Sequence, residues 1–314
     1  MRAALGIDTS NYTTSAAWFD GETGCNAGKL LEVPEGALGL RQSDALFQHV
    51  KRLPAMVEEL TARGLPVGEL AAVGASTRPR AVEGSYMPCF LAGESQARVI
   101  ARMTGTPFYP CSHQQGHVAA AAWSAGRLDL LDTPHLAWHL SGGTTELLYV
   151  EPDGLLVRAE RIGGTTDISA GQLIDRTGKR LGLAFPAGKA VDALSRQAGE
   201  AKAFSVKVQD SAFSLSGVEN QMNALADQGE GQAEISRFVL ETIIAAVVRA
   251  TQNARKAYPG LSVLCAGGVS SNRLLREKMQ KAAGALFALP EYSTDNAMGV
   301  AILAWRLHQG GNMA

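Results

Sequence analysis

The sequence predicts an α/β protein with two lobes, each built on a mixed sheet flanked by helices. Residues 3–19 have the pattern of two short strands around a polar turn, and residues 136–151 repeat that layout about half a chain later. Helical patterns separate and follow these two hairpins, as expected for α/β lobes. A chain of 314 residues also exceeds the length of ~250–300 residues at which a single core stops growing. We expect a first lobe of residues 1–128 plus 291–314 and a second lobe of residues 129–290.

The composition is that of an ordinary globular protein: 46% of residues are hydrophobic, 19% are charged, and the net charge is -1. This charge gives no overall field that would attract nucleic acid, so any RNA contact depends on a local patch or a partner. The four cysteines show no paired spacing, which argues against a zinc ribbon or a disulfide framework. The first residues lack a signal-peptide pattern, and the most apolar helix candidate, 238–250, is too short to span a bilayer. We expect a cytoplasmic protein without membrane contact.

Each element has its own local pattern. In the first lobe, strands at 3–8, 14–19 and 73–77 precede or alternate with helices at 46–64, 95–103 and 114–127. In the second lobe, strands at 136–140, 145–151 and 263–266 alternate with helices at 173–181, 190–198, 235–258 and from about 273, and a last helix spans about 294–308. The helix at 235–258 ends at Pro259-Gly260, a typical stop signal.

Two histidines four residues apart, His113 and His117, are predicted to lie on one face of a helix, where both imidazoles can bind one metal ion. The alternative role is a polar helix start. His135 and His139 have the same spacing, but they fall in a predicted strand, where four residues span roughly 13 Å. That distance is too large for a shared ion. Gln114 replaces the glutamate that a zinc protease of this pattern places after its first histidine, so we do not expect a metalloprotease.

A third metal ligand has to come from elsewhere, and Asp295 in Ser-Thr-Asp-Asn is the candidate. The residue also stands at the predicted start of the last helix, where an aspartate commonly caps the first turn. The residues alone leave both roles open.

Three loops rich in glycine and hydroxyl residues can bring backbone N–H groups together around an anion. The first contains Asp8 and Ser10, the second is Ser141–Thr145, and the third contains Gly267 and Gly268 between a strand and a helix, a geometry that suits phosphate. Asn272 is either a cap or a nucleotide contact. Asp175, Gly188 and Asp192 surround a loop in which acidic groups could accept from ribose hydroxyls, although this segment is also a plain helix–turn–helix.

These motifs, taken in order along the chain, resemble the TsaD-type threonylcarbamoyl transferases of the actin, heat-shock and sugar-kinase superfamily. The resemblance rests on Gly-Ile-Asp-Thr-Ser, His-x-x-x-His, Leu-Ser-Gly-Gly-Thr, Ile-Asp-Arg-Thr with Leu-Gly-Leu-Ala-Phe-Pro-Ala-Gly, Phe-Ser-Leu-Ser-Gly, Ala-Gly-Gly-Val-Ser-Ser-Asn-Arg and Ser-Thr-Asp-Asn. It implies two actin-like lobes around a nucleotide cleft.

The resemblance also implies roles for individual residues. His113, His117 and Asp295 match the family's metal ligands, for one iron or zinc ion. The nucleotide and substrate contacts that we predict from the loops and the resemblance together are Asp8, Ser10, Ser141, Gly142, Gly143, Thr144, Thr145, Asp175, Gly188, Asp192, Gly267, Gly268 and Asn272. No catalytic side chain is assigned beyond the metal ligands.

The activity implied by the family is metal-dependent transfer of a threonylcarbamoyl group from threonylcarbamoyl-AMP to N6 of adenosine 37 in tRNA. An adenine nucleotide (ATP, ADP or the acyl-AMP) is the implied cofactor, and magnesium is left open. The implied partners are tRNA, a small actin-like subunit and an ATPase of the same pathway, with a homodimer also left open. The alternatives are a carbamoyltransferase acting on a small-molecule or protein acceptor, and a nucleotide-binding scaffold paralogue without activity.

The chain departs from the family pattern at a few positions. Thr144 replaces a histidine, Gln172 replaces a glutamate, and Glu219 stands where a cationic residue is usual. These changes concern the substrate more than the fold or the metal.

Overall fold

In the computed structural model, residues 2–10, 12–33 and 40–311 are described. All residues with a predicted site role fall in these ranges, whereas residues 1, 11, 34–39 and 312–314 of the predicted first lobe lie outside them. The strands are β1 (Ala3–Thr9), β2 (Thr13–Phe19), β3 (Gly24–Leu30), β4 (Leu70–Arg78), β5 (Phe108–Ser112), β6 (His135–Leu140), β7 (Thr145–Asp153), β8 (Leu156–Thr165), β9 (Val208–Gln209), β10 (Ala212–Phe213), β11 (Val263–Ala266) and β12 (Leu286–Phe287). The α-helices are α1 (Gln42–Ala62), α2 (Phe90–Thr104), α3 (His113–Ser124), α4 (Ala170–Arg180), α5 (Gly188–Ser195), α6 (Ser216–Asp227), α7 (Gln232–Ala257), α8 (Arg273–Ala283) and α9 (Met298–Gly311).

The contacts divide the chain into two compact units. Unit 1 comprises Met1–Thr133, Glu151–Ala159 and Asp295–Ala314, and unit 2 comprises Pro134–Val150 and Glu160–Thr294. The predicted lobe boundaries, at 128/129 and 290/291, stay a prediction. In that prediction 151–159 belongs to the second lobe, whereas the contacts group it with unit 1.

Each sheet is built around a hairpin. In the first sheet, of order β3-β2-β1-β4-β5, strand β1 pairs antiparallel with β2 and parallel with β4. In the second, of order β12-β11-β6-β7-β8-β10-β9, strand β6 pairs antiparallel with β7 and parallel with β11. The last pairs of the two hairpins are Thr9↔Thr14 and Leu140↔Thr145, so both turns have the same length. The repeated hairpin predicted from the sequence is therefore also a repeated pairing pattern.

Strand β1 is buried along its whole length because unit 1 covers both faces of its sheet. On one face Leu5 and Ile7 belong to a core with Leu53 of α1 and Ala97 of α2, and on the other Ala4 packs with Ala304 of α9. This double coverage explains the continuous apolar run of the strand, which a half-exposed strand would replace by alternation. The end of β1 is thereby held rigidly in the middle of unit 1.

Unit 2 has its own core. Trp138 of β6, Leu173 of α4 and Ile243 of α7 are among its fully buried side chains. In the described part of the chain no helix combines the length and the apolar character that crossing a membrane requires.

Most predicted elements are present with bounds shifted by a few residues. The largest shift concerns α2, which begins at Phe90 and not at residue 95, and the last helix begins at Met298 and not near residue 294. The strands β3, β5 and β8, the helix α6 and the short strands β9, β10 and β12 were not predicted.

Candidate metal centre and glycine loops

The first turn of α3 is fixed by a capping box. Ser112 Oγ accepts a hydrogen bond from the N–H of Gln115 (3.2 Å), and Gln115 Oε1 accepts one from the N–H of Ser112 (2.8 Å). Gln115 Nε2 also donates to the carbonyl of Val157 (2.8 Å). These bonds satisfy N–H groups that a helix start leaves free and define where the helix begins. His113 is thus the first residue of α3, and His117 follows one turn later on the same face.

Three donor atoms converge in unit 1. His113 Nε2 and His117 Nε2 are 2.9 Å apart, and Asp295 Oδ1 lies 3.2 Å from His117 Nε2 and 3.6 Å from His113 Nε2. Ligands about 2.0–2.1 Å from a tetrahedral zinc ion are separated by about 3.3 Å, a value inside the observed range. The two imidazoles and the carboxylate therefore fit a transition-metal ion, and all three belong to the described part of the chain.

Asp295 does not act as the cap of the last helix. Helix α9 begins three residues later, at Met298, whose N–H donates to Oδ1 of Asn296 (3.0 Å). The Asp295 carboxylate instead faces the histidines. Of the two roles that the sequence left open for Asp295, the structure excludes the helix cap.

The turn after β1 contacts the same group. Asp8 Oδ2 lies 2.8 Å from Nδ1 of His113, and Asp8 Oδ1 accepts from the N–H of Ser10 (3.0 Å). Ser10 Oγ donates to Oδ2 of Asp295 (3.4 Å). The nucleotide contacts predicted for Asp8 and Ser10 stay predictions. The contact between Asp8 and His113 was not predicted from the sequence, since 105 residues separate them.

The carboxylates control the protonation of His113. Burial alone would lower the pKa of His113, but the carboxylates of Asp8 and Asp295 outweigh burial and raise this pKa to about 10. Burial would likewise raise the pKa of Asp295, yet its hydrogen bonds to His113 and His117 hold that pKa well below its usual value. In the absence of a metal, a proton on His113 therefore balances charge between the two carboxylates.

The second histidine pair lies in strand β6, as predicted, and belongs to unit 2. His135 is fully buried, and His139 pairs with Glu146 in the antiparallel ladder with β7. Neither histidine is part of the group formed by His113, His117 and Asp295.

The loop Ser141–Thr145 forms a closed turn on the start of α4. The N–H of Ser141 donates to the carbonyl of Thr144 (2.8 Å), and Thr145 Oγ1 accepts from the N–H of Ala170 (2.8 Å). A Cβ on Gly142 or Gly143 would meet no atom within 4 Å, and both residues are exposed. Packing inside the protein therefore does not require these two glycines, whereas close approach of a ligand to the backbone would.

The third loop lies against the second. Gly267 has φ +95°, and a Cβ there would overlap the carbonyl of Leu140, the last residue of β6, so this position requires glycine. A Cβ on Gly268 would meet nothing within 4 Å. Leu140 directly precedes Ser141, so the two loops are neighbours in unit 2.

The remaining predicted contacts are tied to these loops by side chains. Asn272 Oδ1 accepts from the N–H of Leu275 (2.9 Å), which makes Asn272 the cap of α8, and its Nδ2 donates to Oδ1 of Asp192 (2.6 Å). Asp175 Oδ1 accepts from the N–H of Ala187 (2.9 Å), next to Gly188, the exposed first residue of α5. Asp175 thus joins α4 to the residues just before α5, and the bond between Asp192 and Asn272 joins α5 to the start of α8.

The unusual residues Gln172 and Glu219 have structural partners. Gln172 is the third residue of a capping box at the start of α4, with its Oε1 accepting from the N–H of Ser169 (3.0 Å). Glutamine and glutamate serve equally at this position of a capping box. Glu219 pairs with Arg176 at 2.6 Å.

Comparisons with known proteins show the family of the chain. The sequence profile of the family described as "TsaD: tRNA N6-adenosine threonylcarbamoyltransferase" matches residues 39–302. A tRNA N6-adenosine threonylcarbamoyltransferase of Thermus thermophilus is 34% identical over 99% of this chain and 94% of its own length, and that of Enterococcus faecalis is 33% identical over 74% and 67%.

Solved structures share the fold at low identity. The activator of the 2-hydroxyisocaproyl-CoA dehydratase from Clostridium difficile superposes with a TM-score of 0.55 at 12% identity, over 99% of this chain and 97% of that one. T. kodakarensis HypF gives a TM-score of 0.60 at 13% identity, over 99% and 48%. The predicted α/β fold of the actin-like class is confirmed. From the two histidines and the distant carboxylate to the glycine loops, the matches span nearly the whole sequence, and the chain belongs to the tRNA N6-adenosine threonylcarbamoyltransferase family.

Proposed function

We propose that the chain transfers the threonylcarbamoyl group of threonylcarbamoyl-AMP to N6 of adenosine 37 in tRNA. The observation that carries this proposal is the convergence of His113, His117 and Asp295 in a chain of this family, with donor atoms 2.9–3.6 Å apart. The cytoplasm, where tRNA is modified, is the location that follows from the proposal.

Two imidazoles and one carboxylate suit zinc or iron better than magnesium, which prefers oxygen ligands alone. We infer that His113, His117 and Asp295 hold one such ion, which supplies Lewis acidity toward an oxygen of the donor when bound. The protein's own contribution is to keep these donors together through α3 and the segment before α9.

The loops of unit 2 would hold the AMP part of the donor. Gly142, Gly143 and Gly268 leave space beside their backbone, as a phosphate bound by backbone N–H groups requires. Asp192 is held beside the third loop by its hydrogen bond to Asn272, and Asp175 accepts from the N–H of Ala187 in the loop between α4 and α5. Carboxylate oxygens suit ribose hydroxyls as acceptors. AMP is then the leaving group, and the backbone N–H contacts stabilise its negative charge.

The attacking group is the exocyclic amine of adenine, which becomes accessible only when the base leaves the stack of its loop. No side-chain nucleophile is needed, because the donor is already activated as a mixed anhydride. The small actin-like subunit and the ATPase predicted as partners are the components that would present tRNA or reset the enzyme after turnover.

The proposal is tested with purified protein, threonylcarbamoyl-AMP labelled in the threonine part, and unmodified tRNA that decodes an ANN codon. We expect label in tRNA, either with the purified protein alone or after addition of the partner proteins. A tRNA with guanosine at position 37 should receive no label. His117→Ala should abolish both bound metal and transfer, whereas His308→Ala, a histidine in the last turn of α9, should preserve both.

The other outcomes identify the alternatives. Label that enters a small molecule or a protein, but never tRNA, would show a carbamoyltransferase with a different acceptor. Wild-type protein without bound metal and without transfer to any acceptor would show a nucleotide-binding scaffold and end the proposal.

A further inference from the structure

We propose that Asp8 is a positioning residue for the metal centre: its carboxylate fixes the ring of His113 so that Nε2 faces His117 and Asp295. This inference rests on the proposed function, because it assumes that the three side chains bind a metal ion. It concerns the affinity for that ion and not the transfer reaction.

Asp8 is close to His113 and rigidly held. Asp8 Oδ2 lies 2.8 Å from Nδ1 of His113, and Asp8 is 1% exposed. Asp8 stands in the central strand of its sheet, where it pairs with Ser15 of β2. A carboxylate held in this way cannot follow a rotating ring, so it selects one orientation of the imidazole.

The hydrogen bond between Asp8 and His113 has a fixed direction. The other oxygen of Asp8, Oδ1, accepts from the N–H of Ser10 (3.0 Å), so Oδ2 is the oxygen that faces His113. An ionised carboxylate can only accept, so Nδ1 of His113 has to donate. The lone pair available for a metal is then the one on Nε2, 2.9 Å from Nε2 of His117. Outer carboxylates of this kind commonly set the tautomer and orientation of metal-binding histidines.

The turn that follows Asp8 also reaches the third ligand. Ser10 Oγ donates to Oδ2 of Asp295 at 3.4 Å, while Oδ1 of Asp295 faces the histidines. The start of β2, which follows the turn, is held by α1, since Nδ1 of His49, a fully buried residue, lies 2.8 Å from Thr14 Oγ1. Asp8 and Ser10 thus contact two of the three ligands, each through the atom that does not face the other ligands: Nδ1 of His113 and Oδ2 of Asp295. The longer distance at Ser10 predicts a smaller contribution than that of Asp8.

The test compares Asp8→Asn with Asp20→Asn. Asp20 lies in the turn between β2 and β3, where its Oδ1 also accepts from the N–H two residues further on (2.9 Å), and its hydrogen bonds stay within that turn. Zinc affinity is measured by competition with a chromophoric chelator. We expect Asp8→Asn to weaken zinc binding about 10–100-fold, the usual effect of such an outer ligand. Ser10→Ala should weaken it less, and Asp20→Asn should bind zinc as the wild type does.

A spectroscopic readout separates positioning from general loss of structure. In zinc-loaded wild type, the ¹⁵N shifts of His113 should show a protonated Nδ1 and a metal-bound Nε2. This measurement needs no variant, so zinc bound through Nδ1 would overturn the assigned geometry even if Asp8→Asn fails to fold. In a folded Asp8→Asn protein, the Nδ1 proton should exchange faster with solvent.

Three results would overturn the inference in distinguishable ways. Zinc bound through Nδ1 of His113 would contradict the assigned geometry, and equal zinc affinity of wild type and folded Asp8→Asn would remove the positioning role while leaving the metal site intact. Wild-type protein that binds neither zinc nor iron in this assay would overturn the metal assignment of the proposed function, and this inference with it.

Discussion

His113 is the residue that links the charged groups of the candidate metal centre. Its Nδ1 contacts Asp8, and its Nε2 lies near both His117 and Asp295. Without a metal the ring binds a proton tightly, whereas a metal ion needs the unprotonated Nε2. Proton and metal therefore compete for the same nitrogen.

This competition predicts how pH affects the stability of the metal-free protein. The pKa of His113 is about 10 in the folded state, against 6.5 for the unperturbed group. Because the folded-state pKa is the higher one, the stabilisation is fully present below about pH 6.5 and is lost as the pH rises toward 10. We expect the thermal midpoint of metal-free wild type to fall across this window. A metal-free His113→Gln protein should show a smaller fall, as measured by calorimetry in the presence of chelator.

The comparison with His113→Gln decides whether this residue is responsible. Cysteine, lysine and tyrosine groups that titrate at high pH affect both proteins alike. Parallel pH profiles for the two proteins would contradict the role assigned to the Asp8–His113–Asp295 cluster.

The residues of the site differ in how far the sequence alone predicts them. The pairing of His113 with His117 depends on helix geometry, which is local, so spacing was sufficient. Asp295 lies 178 residues from His117, and only the family resemblance selected it over a helix cap. The contact of Asp8 with His113 depends on how β1 and α3 pack, and no pattern in the sequence encodes that distance.

At the scale of elements, the same distinction explains which helices and strands were predicted. Helix α7 and strand β11 are strongly buried and therefore have clear apolar patterns. Helix α6 buries only Val218 and Met222, and strand β3 buries only Ala27, so their sequences carry weak periodicity. Elements at the surface of a fold are specified mainly by contacts with their neighbours.

The crossing of α3 and α9 is the element contact that positions the metal ligands. α3 carries both histidines, and Asp295 precedes α9 by three residues. At the crossing, a Cβ on Gly299 would overlap the backbone carbonyl of Gly116. The two helices can approach this closely only because Gly299 has no side chain.

Gly299→Ala is therefore expected to push α9 away from α3. We predict a loss of about 1–3 kcal/mol in the free energy of unfolding, typical of overpacking, together with weaker zinc binding, because a shift of α9 also moves Asp295 in the segment that leads into it. Chemical denaturation and zinc competition measure the two effects. Gly310→Ala in the same helix is the control, since its Cβ would meet only the flexible end of Leu155. Unchanged zinc affinity in a folded Gly299→Ala protein would show that the crossing does not set the site.

At the scale of the whole molecule, the candidate ligands separate by unit. The donors for the metal all belong to unit 1, which is assembled from three segments of the chain, whereas the glycine loops from Ser141 to Asn272 belong to unit 2. The predicted first lobe contains the last segment of the chain, and the predicted second lobe contains 151–159, which the contacts group with unit 1. That short segment is recognisable only by long-range contacts such as the bond from Gln115 to Val157.

This separation predicts that metal and nucleotide protect different amides from hydrogen exchange. A ligand present at 100 times its Kd stabilises the form that binds it by about 2.7 kcal/mol, and local protection is greatest where the ligand contacts the fold. With zinc, we expect slower exchange in β1, in the first turns of α3 and at the start of α9. With AMP, we expect it at residues 141–145, 268–272 and the first turn of α4.

Exchange measured by mass spectrometry on metal-free protein, with each ligand added separately and with Asp295→Asn as the control for zinc, resolves these segments. AMP that protects only β1 and α3 would show that the nucleotide binds the turn containing Asp8 and Ser10, and would remove the nucleotide role proposed for the loops of unit 2.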